Sequence, residues 1–215
     1  PLSEPSPPRG VADLTRRLAD QALIRGRELR AQGQTAAARD AFEDGLRVRP
    51  AGAALLAEAG WACAELGAAG EAEQRLLGAW AQPEVPEGVL LSLVHLYLGP
   101  LDRTDAVRSL LAQARERCPG TRELLRAELE WALGDARFDE ALALADELRE
   151  RHPDDPEVAL DGARAANEAA YAAHLAGDTE QAVFLLRRAL ASAPEWTGLH
   201  VNLGQLFVAL DRLGP

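Results

Sequence analysis

The chain contains no lysine and no methionine, a single isoleucine at Ile24 and only two cysteines. Cys63 and Cys118 lie far apart without metal-type spacing, and Cys63 falls on an apolar helical face, as a small buried hydrophobe would. The four histidines, His95, His152, His174 and His200, sit on separate stretches without an HExxH-type pairing. No metal site is expected, and no glycine-rich phosphate loop points to a cofactor. No apolar run approaches the roughly 18–20 residues of a membrane span. No stretch alternates valine, isoleucine, threonine and aromatics, so no strand is expected. All cationic charge comes from 23 arginines, against 34 acids, for a net charge of −11. Residues 1–50 carry 9 arginines and 7 acids, so the other 165 residues hold the acidic excess of −13. An acidic body argues against nucleic acid and anionic lipid as main partners. No signal peptide is recognisable, but the first residue is not a native start. A removed leader therefore stays open, with the cytoplasm slightly favoured.

Alanine and leucine dominate what is present, within a hydrophobic fraction of 47% and an aromatic fraction of 5%. This composition favours helix and provides enough apolar surface for a packed core. Residues 1–10, PLSEPSPPRG, have nothing to bury and read as a disordered proline-rich tail. From Val11 onward, apolar residues recur at threes and fours, and Gly or Pro breaks divide the pattern into eleven or twelve helices. Thr104 is a candidate N-cap, Asp154-Asp155-Pro156 opens a long helix, and Gln82 to Gly88 is a proline-rich loop.

The breaks are periodic. Prolines return at Pro50, Pro83, Pro119, Pro153 and Pro194, at intervals of 33, 36, 34 and 41. Ahead of each of these prolines a small residue precedes a larger or equal one by four places: Ala38 and Phe42, Ala72 and Leu76, Ala106 and Leu110, Ala141 and Ala145, Ala182 and Leu186. Upstream stand Gly26, Gly60 and Gly204 at matching places. A period near 34 with this small–large–proline order resembles the tetratricopeptide repeat. Five repeats and the first half of a sixth are covered, over about residues 19–213. Glu128 stands where the family has leucine, and the fifth repeat carries about seven extra residues in its first helix.

The resemblance implies an all-α domain over residues 11–215, a right-handed superhelical solenoid of helix-turn-helix units. Each unit cannot bury its own apolar face and must stack on its neighbours. The family further implies a non-enzymatic scaffold that holds a partner protein or peptide in a concave groove lined by the first helix of each pair. Its groove places fall here on Arg27, Arg30, Trp61, Glu65, His95, Arg126, Glu130, Asn167, Tyr171 and His174, with Glu123, Arg164 and Gln205 beside them. The carboxylate clamp of the chaperone-binding members is absent, because its places hold Leu23, Arg27, Glu58 and Gly88. No constellation of catalytic residues emerges from the sequence. Two alternatives stay open: the recognition domain of a larger enzyme, and a structural subunit that self-associates through its last helix. For the second, Gly198, Val201, Leu206 and Val208 are the expected apolar surface.

Overall fold

The structure is a computed structural model and describes residues 9–212. Eleven α-helices and no strand occur among the described residues: α1 Arg9–Ala31, α2 Thr35–Val48, α3 Ala53–Glu65, α4 Ala69–Trp80, α5 Val89–Leu98, α6 Thr104–Arg117, α7 Arg122–Gly134, α8 Phe138–Arg151, α9 Pro156–Leu175, α10 Thr179–Ser192 and α11 Thr197–Arg212. Of the expected tail, residues 1–8 lie outside the described residues, and Arg9 and Gly10 already belong to α1. The chain divides into two compact units, residues 1–107 and 108–215.

One backbone device repeats at the end of the first helix of every complete pair. A residue in the left-handed region stands at Gly33, Gly67, Asp102, Ala136 and Gly177. At four of these turns the next amide donates back five residues: Gln34 to Leu29 O, Ala68 to Cys63 O, Arg137 to Ala132 O and Asp178 to Ala173 O, all within 2.8–2.9 Å. This is the Schellman closure, which satisfies carbonyls the helix would otherwise leave unpaired. At the fifth turn the Arg103 amide reaches Tyr97 O at 2.7 Å, one residue further back. Glycine takes the left-handed conformation without a Cβ clash; Asp102 and Ala136 adopt it without that relief.

In the first unit, α1 packs on α2, α2 on α3, α3 on α4 and α4 on α5. The first helices of successive pairs also touch, α1 with α3 and α3 with α5. Close approach within a pair depends on the small residues. A Cβ built on Gly26 would lie 2.2 Å from the Phe42 ring, and one on Gly60 would lie 2.7 Å from Leu76. Phe42, Leu76, Ala38 and Ala72 are fully buried.

The second unit repeats the scheme with α7 on α8, α8 on α9, α9 on α10 and α10 on α11, and α7 also meets α9. Its core runs through Leu125, Leu129, Leu148 and Val158 on one side and Ala166, Ala170, Leu186 and Leu199 on the other. The stretched fifth repeat is explained by α9, which has 20 residues where α3 and α7 have 13. Asp155 caps it by accepting the amides of Glu157 and Val158, and Pro156 occupies the first turn, where no amide partner is needed. In α11, Leu206 turns inward and is buried, whereas Val201, Phe207 and Val208 are exposed. The apolar surface expected of the last helix therefore excludes Leu206.

Candidate functional site

The expected groove residues lie on the first helices of the pairs, and they fall into two different situations. Most of the charged ones are engaged with each other. In the first unit, Arg27 Nε donates to Glu58 Oε1 at 2.6 Å. Arg30 reaches Glu58 at 3.1 Å and Glu65 at 2.5 Å, and Thr35 adds a hydrogen bond to Glu65 at 3.2 Å. Glu58 is buried, so these two arginines supply the countercharge that its desolvation demands. Trp61 is half-buried; its indole N–H donates to Ser92 Oγ at 2.9 Å, and Arg30 lies 5.9 Å from the ring centroid. His95, on α5 of the same unit, is exposed.

The second unit repeats the arrangement between α7 and α9. Arg126 Nε donates to the buried Asp161 at 2.5 Å, and its Nη1 reaches Glu157 at 2.7 Å. Arg122 meets Asp155 and Glu157, both at 2.7 Å, and Arg164 pairs with Glu130. Desolvation works to lower the Arg126 pKa, but the hydrogen bonds and charges of Asp161 and Glu157 together outweigh it and leave the net shift upward. The bonded residues are 28–35 positions apart, close to one repeat. A residue type at one place in a repeat thus meets its countercharge near the same place in the next. Arg75 with Glu43, and Arg188 with Asp146, do the same between second helices.

The remaining expected residues converge on an open cleft of about 260 Å³ between α9 and α11. Asn167, Tyr171 and His174 line it from α9, and Asn202 and Gln205 from α11. Leu186 from α10, with Ala170 and Leu206, forms an apolar lining that is itself buried. Tyr171, which lines the cleft, is 61% exposed. Asn202 Nδ2 donates to Asn167 Oδ1 at 2.9 Å. That bond leaves Asn167 with a free amide donor group and Asn202 with a free carbonyl acceptor, side by side. Reversing both carboxamides still leaves one donor and one acceptor.

Asn202 was not among the sequence candidates. Its signal was present: it stands 35 residues after Asn167, the spacing of one repeat. Glu58 and Asp161 were missed as anchors because a buried acid in an arginine-rich chain is indistinguishable from an exposed one until its neighbours are known. Among the described residues, no group of three or more His, Cys, Asp or Glu is arranged to hold a metal ion. No described helix is long and apolar enough to cross a membrane.

The left-handed turns and the small-to-large contacts, recurring from one helix pair to the next, define a helical-repeat fold of the tetratricopeptide type. Solved structures of that type match along most of the chain. TTC0263, a thermophilic TPR protein of Thermus thermophilus, is similar at 20% identity and a TM-score of 0.63, over 88% of this chain and 99% of that one. YrrB, described as a TPR protein with an unusual peptide-binding site, is similar at 15% identity and a TM-score of 0.56, over 86% and 90%. A tetratricopeptide repeat protein from Parabacteroides merdae ATCC 43184 is similar at 13% identity and a TM-score of 0.58, over 88% and 84%. No protein-family model and no curated protein matches the sequence.

Proposed function

We propose that the chain is a non-enzymatic protein-interaction scaffold and that the α9–α11 cleft holds an extended segment of a partner protein. The observation that carries this reading is the Asn167–Asn202 pair beside an exposed Tyr171, above an apolar lining. One free donor and one free acceptor at adjacent points match the two faces of a peptide group. Leu186 and Leu206 offer an apolar side chain somewhere to bury, and Tyr171 can close over it. The fold supports the reading by analogy, since YrrB is described as having a peptide-binding site. In the first unit, Trp61, Arg30 and Glu65 form a second, more rigid face, whose charges are already paired and which would recognise shape rather than charge. With an acidic excess of −13 outside the first 50 residues, a mixed or modestly basic segment suits the cleft better than an acidic one.

Selection of a random-peptide library against the chain, with binding then measured by fluorescence anisotropy, tests the reading. Tyr171→Ala and Asn202→Ala are each expected to weaken the selected peptides by about 30-fold, the effect of an interface hot spot of about 2 kcal/mol. Arg149→Ala, on α8, leaves affinity unchanged. Peptides that bind wild type and both cleft variants equally would overturn the assignment of the cleft.

A further inference from the structure

The apolar surface of the α9–α11 cleft does not end at Tyr171. Leu175 follows Tyr171 by one helical turn on α9 and is 69% exposed, more than any other large apolar side chain among the described residues. A lone exposed leucine is ordinary, but one that prolongs the wall of a cleft makes a continuous apolar strip of the kind that marks an interaction surface. The opposite side of α9, through Ala166, Ala169 and Ala173, packs into the core with α10. The strip therefore lies on the side of α9 that its own neighbour leaves open.

Glu168 stands on the same strip, three places before Tyr171 and seven before Leu175. It is exposed and makes no hydrogen bond or ion pair with another described residue. The charge of Arg164 reaches it, but that guanidinium already pairs with Glu130, so the three groups together leave one negative charge. The cleft lining itself holds no arginine and no acid. A segment lying along α9 thus meets a neutral cleft, an apolar ledge and one unanswered carboxylate.

The spacing selects the form of that segment. From Ala170 or Tyr171 to Leu175 the helix rises about 6–7.5 Å. An extended chain advances about 6.7 Å in two residues, and those two side chains point the same way. A helix would match the distance with apolar residues four apart, but its peptide groups are bonded to one another and cannot answer the Asn167–Asn202 pair.

Resting on the reading of the cleft above, we propose that Glu168, Tyr171 and Leu175 form a second subsite of the same surface. The partner is an extended segment with two large apolar residues two places apart and a lysine or arginine beside them. The first apolar residue enters the cleft over Ala170, Leu186 and Leu206, the second lies on Leu175, and the base meets Glu168.

The probes are the peptide most enriched from a random library and a copy with its second apolar residue replaced by serine. Each is measured by fluorescence anisotropy against wild type, Leu175→Ser, Glu168→Gln and Asn202→Ala. Leu175 and Glu168 are exposed, so circular dichroism should show wild-type helicity in their variants. Enriched peptides are expected to share apolar residues two places apart. Leu175→Ser is expected to weaken the parent peptide about 10-fold and leave the serine copy unchanged, because the copy has already lost that contact. Asn202→Ala weakens both peptides alike, and Glu168→Gln flattens the salt dependence of the parent. The proposal is overturned if the apolar pair is adjacent or three or four places apart, if Leu175→Ser weakens both peptides equally or neither, or if Glu168→Gln leaves the salt dependence unchanged. Should that happen while Asn202→Ala still weakens binding, the cleft stands and the second subsite alone falls. Should Asn202→Ala also have no effect, the cleft falls with it.

Discussion

Phe42 illustrates how much depends on single side chains in an alanine-rich core. It is fully buried, and its ring occupies the space above Gly26. Phe42→Ala should cost about 3–5 kcal/mol in urea unfolding, through lost transfer energy and the cavity left behind. Gly26→Ala is expected to destabilise as well, because the new methyl meets the ring and the ring has no free direction to move. Ala136 presents the opposite case. It holds a φ of 54° in a turn where Gly33, Gly67 and Gly177 do the same work without strain. Ala136→Gly should therefore raise stability by about 0.5–1 kcal/mol, measured by the same titration. The cysteines differ in accessibility. Burial pushes the Cys63 thiol up, and the nearby Glu71 adds to the effect, so Cys63 stays protonated and shielded. Alkylation at neutral pH, followed by mass spectrometry, should label the partly exposed Cys118 first.

At the scale of the helix, α9 combines a cap and an ion-pair anchor. Desolvation pushes the Asp155 carboxyl up, but the Glu157 amide, the Arg122 guanidinium and the Val158 amide outweigh it and hold it below the ordinary carboxylate range. A depressed pKa in the folded state means that its stabilisation is fully present above the unfolded value, near 3.9, and is lost as pH falls through the folded value. Asp155→Ala should thus lower Tm at pH 7, and the gap to wild type should close under strongly acidic conditions. One turn further along, Asp161 is buried against Arg126. Removing the arginine strands a charge, so Arg126→Ala should cost about 3 kcal/mol. Its loss of stability makes Arg126 a poor probe of binding, although the family resemblance points to it as a groove residue. The cleft is better tested through Tyr171 and Asn202.

For the molecule as a whole, the asymmetry of charge sets the terms of association. A basic peptide selected by the cleft should bind more weakly as salt rises, while one held by the Asn167–Asn202 pair and the apolar lining alone should not. Anisotropy titrations at two ionic strengths distinguish these cases. Each unit is described by its own helix packing, and the cleft lies wholly within the second.

Much of the fold was legible in the sequence because its causes are local. A left-handed turn needs glycine or tolerates a small residue; a close helix crossing needs a small residue against a large one. Both leave marks every 34 residues or so, and Gly33, Gly67, Ala38, Phe42, Ala72 and Leu76 show them directly. The extra length of α9 was visible for the same reason. What required the tertiary structure was everything that depends on two repeats meeting. The sequence shows Arg27, Arg30 and Arg126 as cations free to bind a partner; only the approach of neighbouring first helices brings Glu58, Glu65 and Asp161 within hydrogen-bond distance of them. Asn167 and Asn202 become a donor–acceptor pair for the same reason. A side chain's partner one repeat away is set by the distance between helix axes, and that distance follows from how neighbouring helix pairs pack rather than from any one segment.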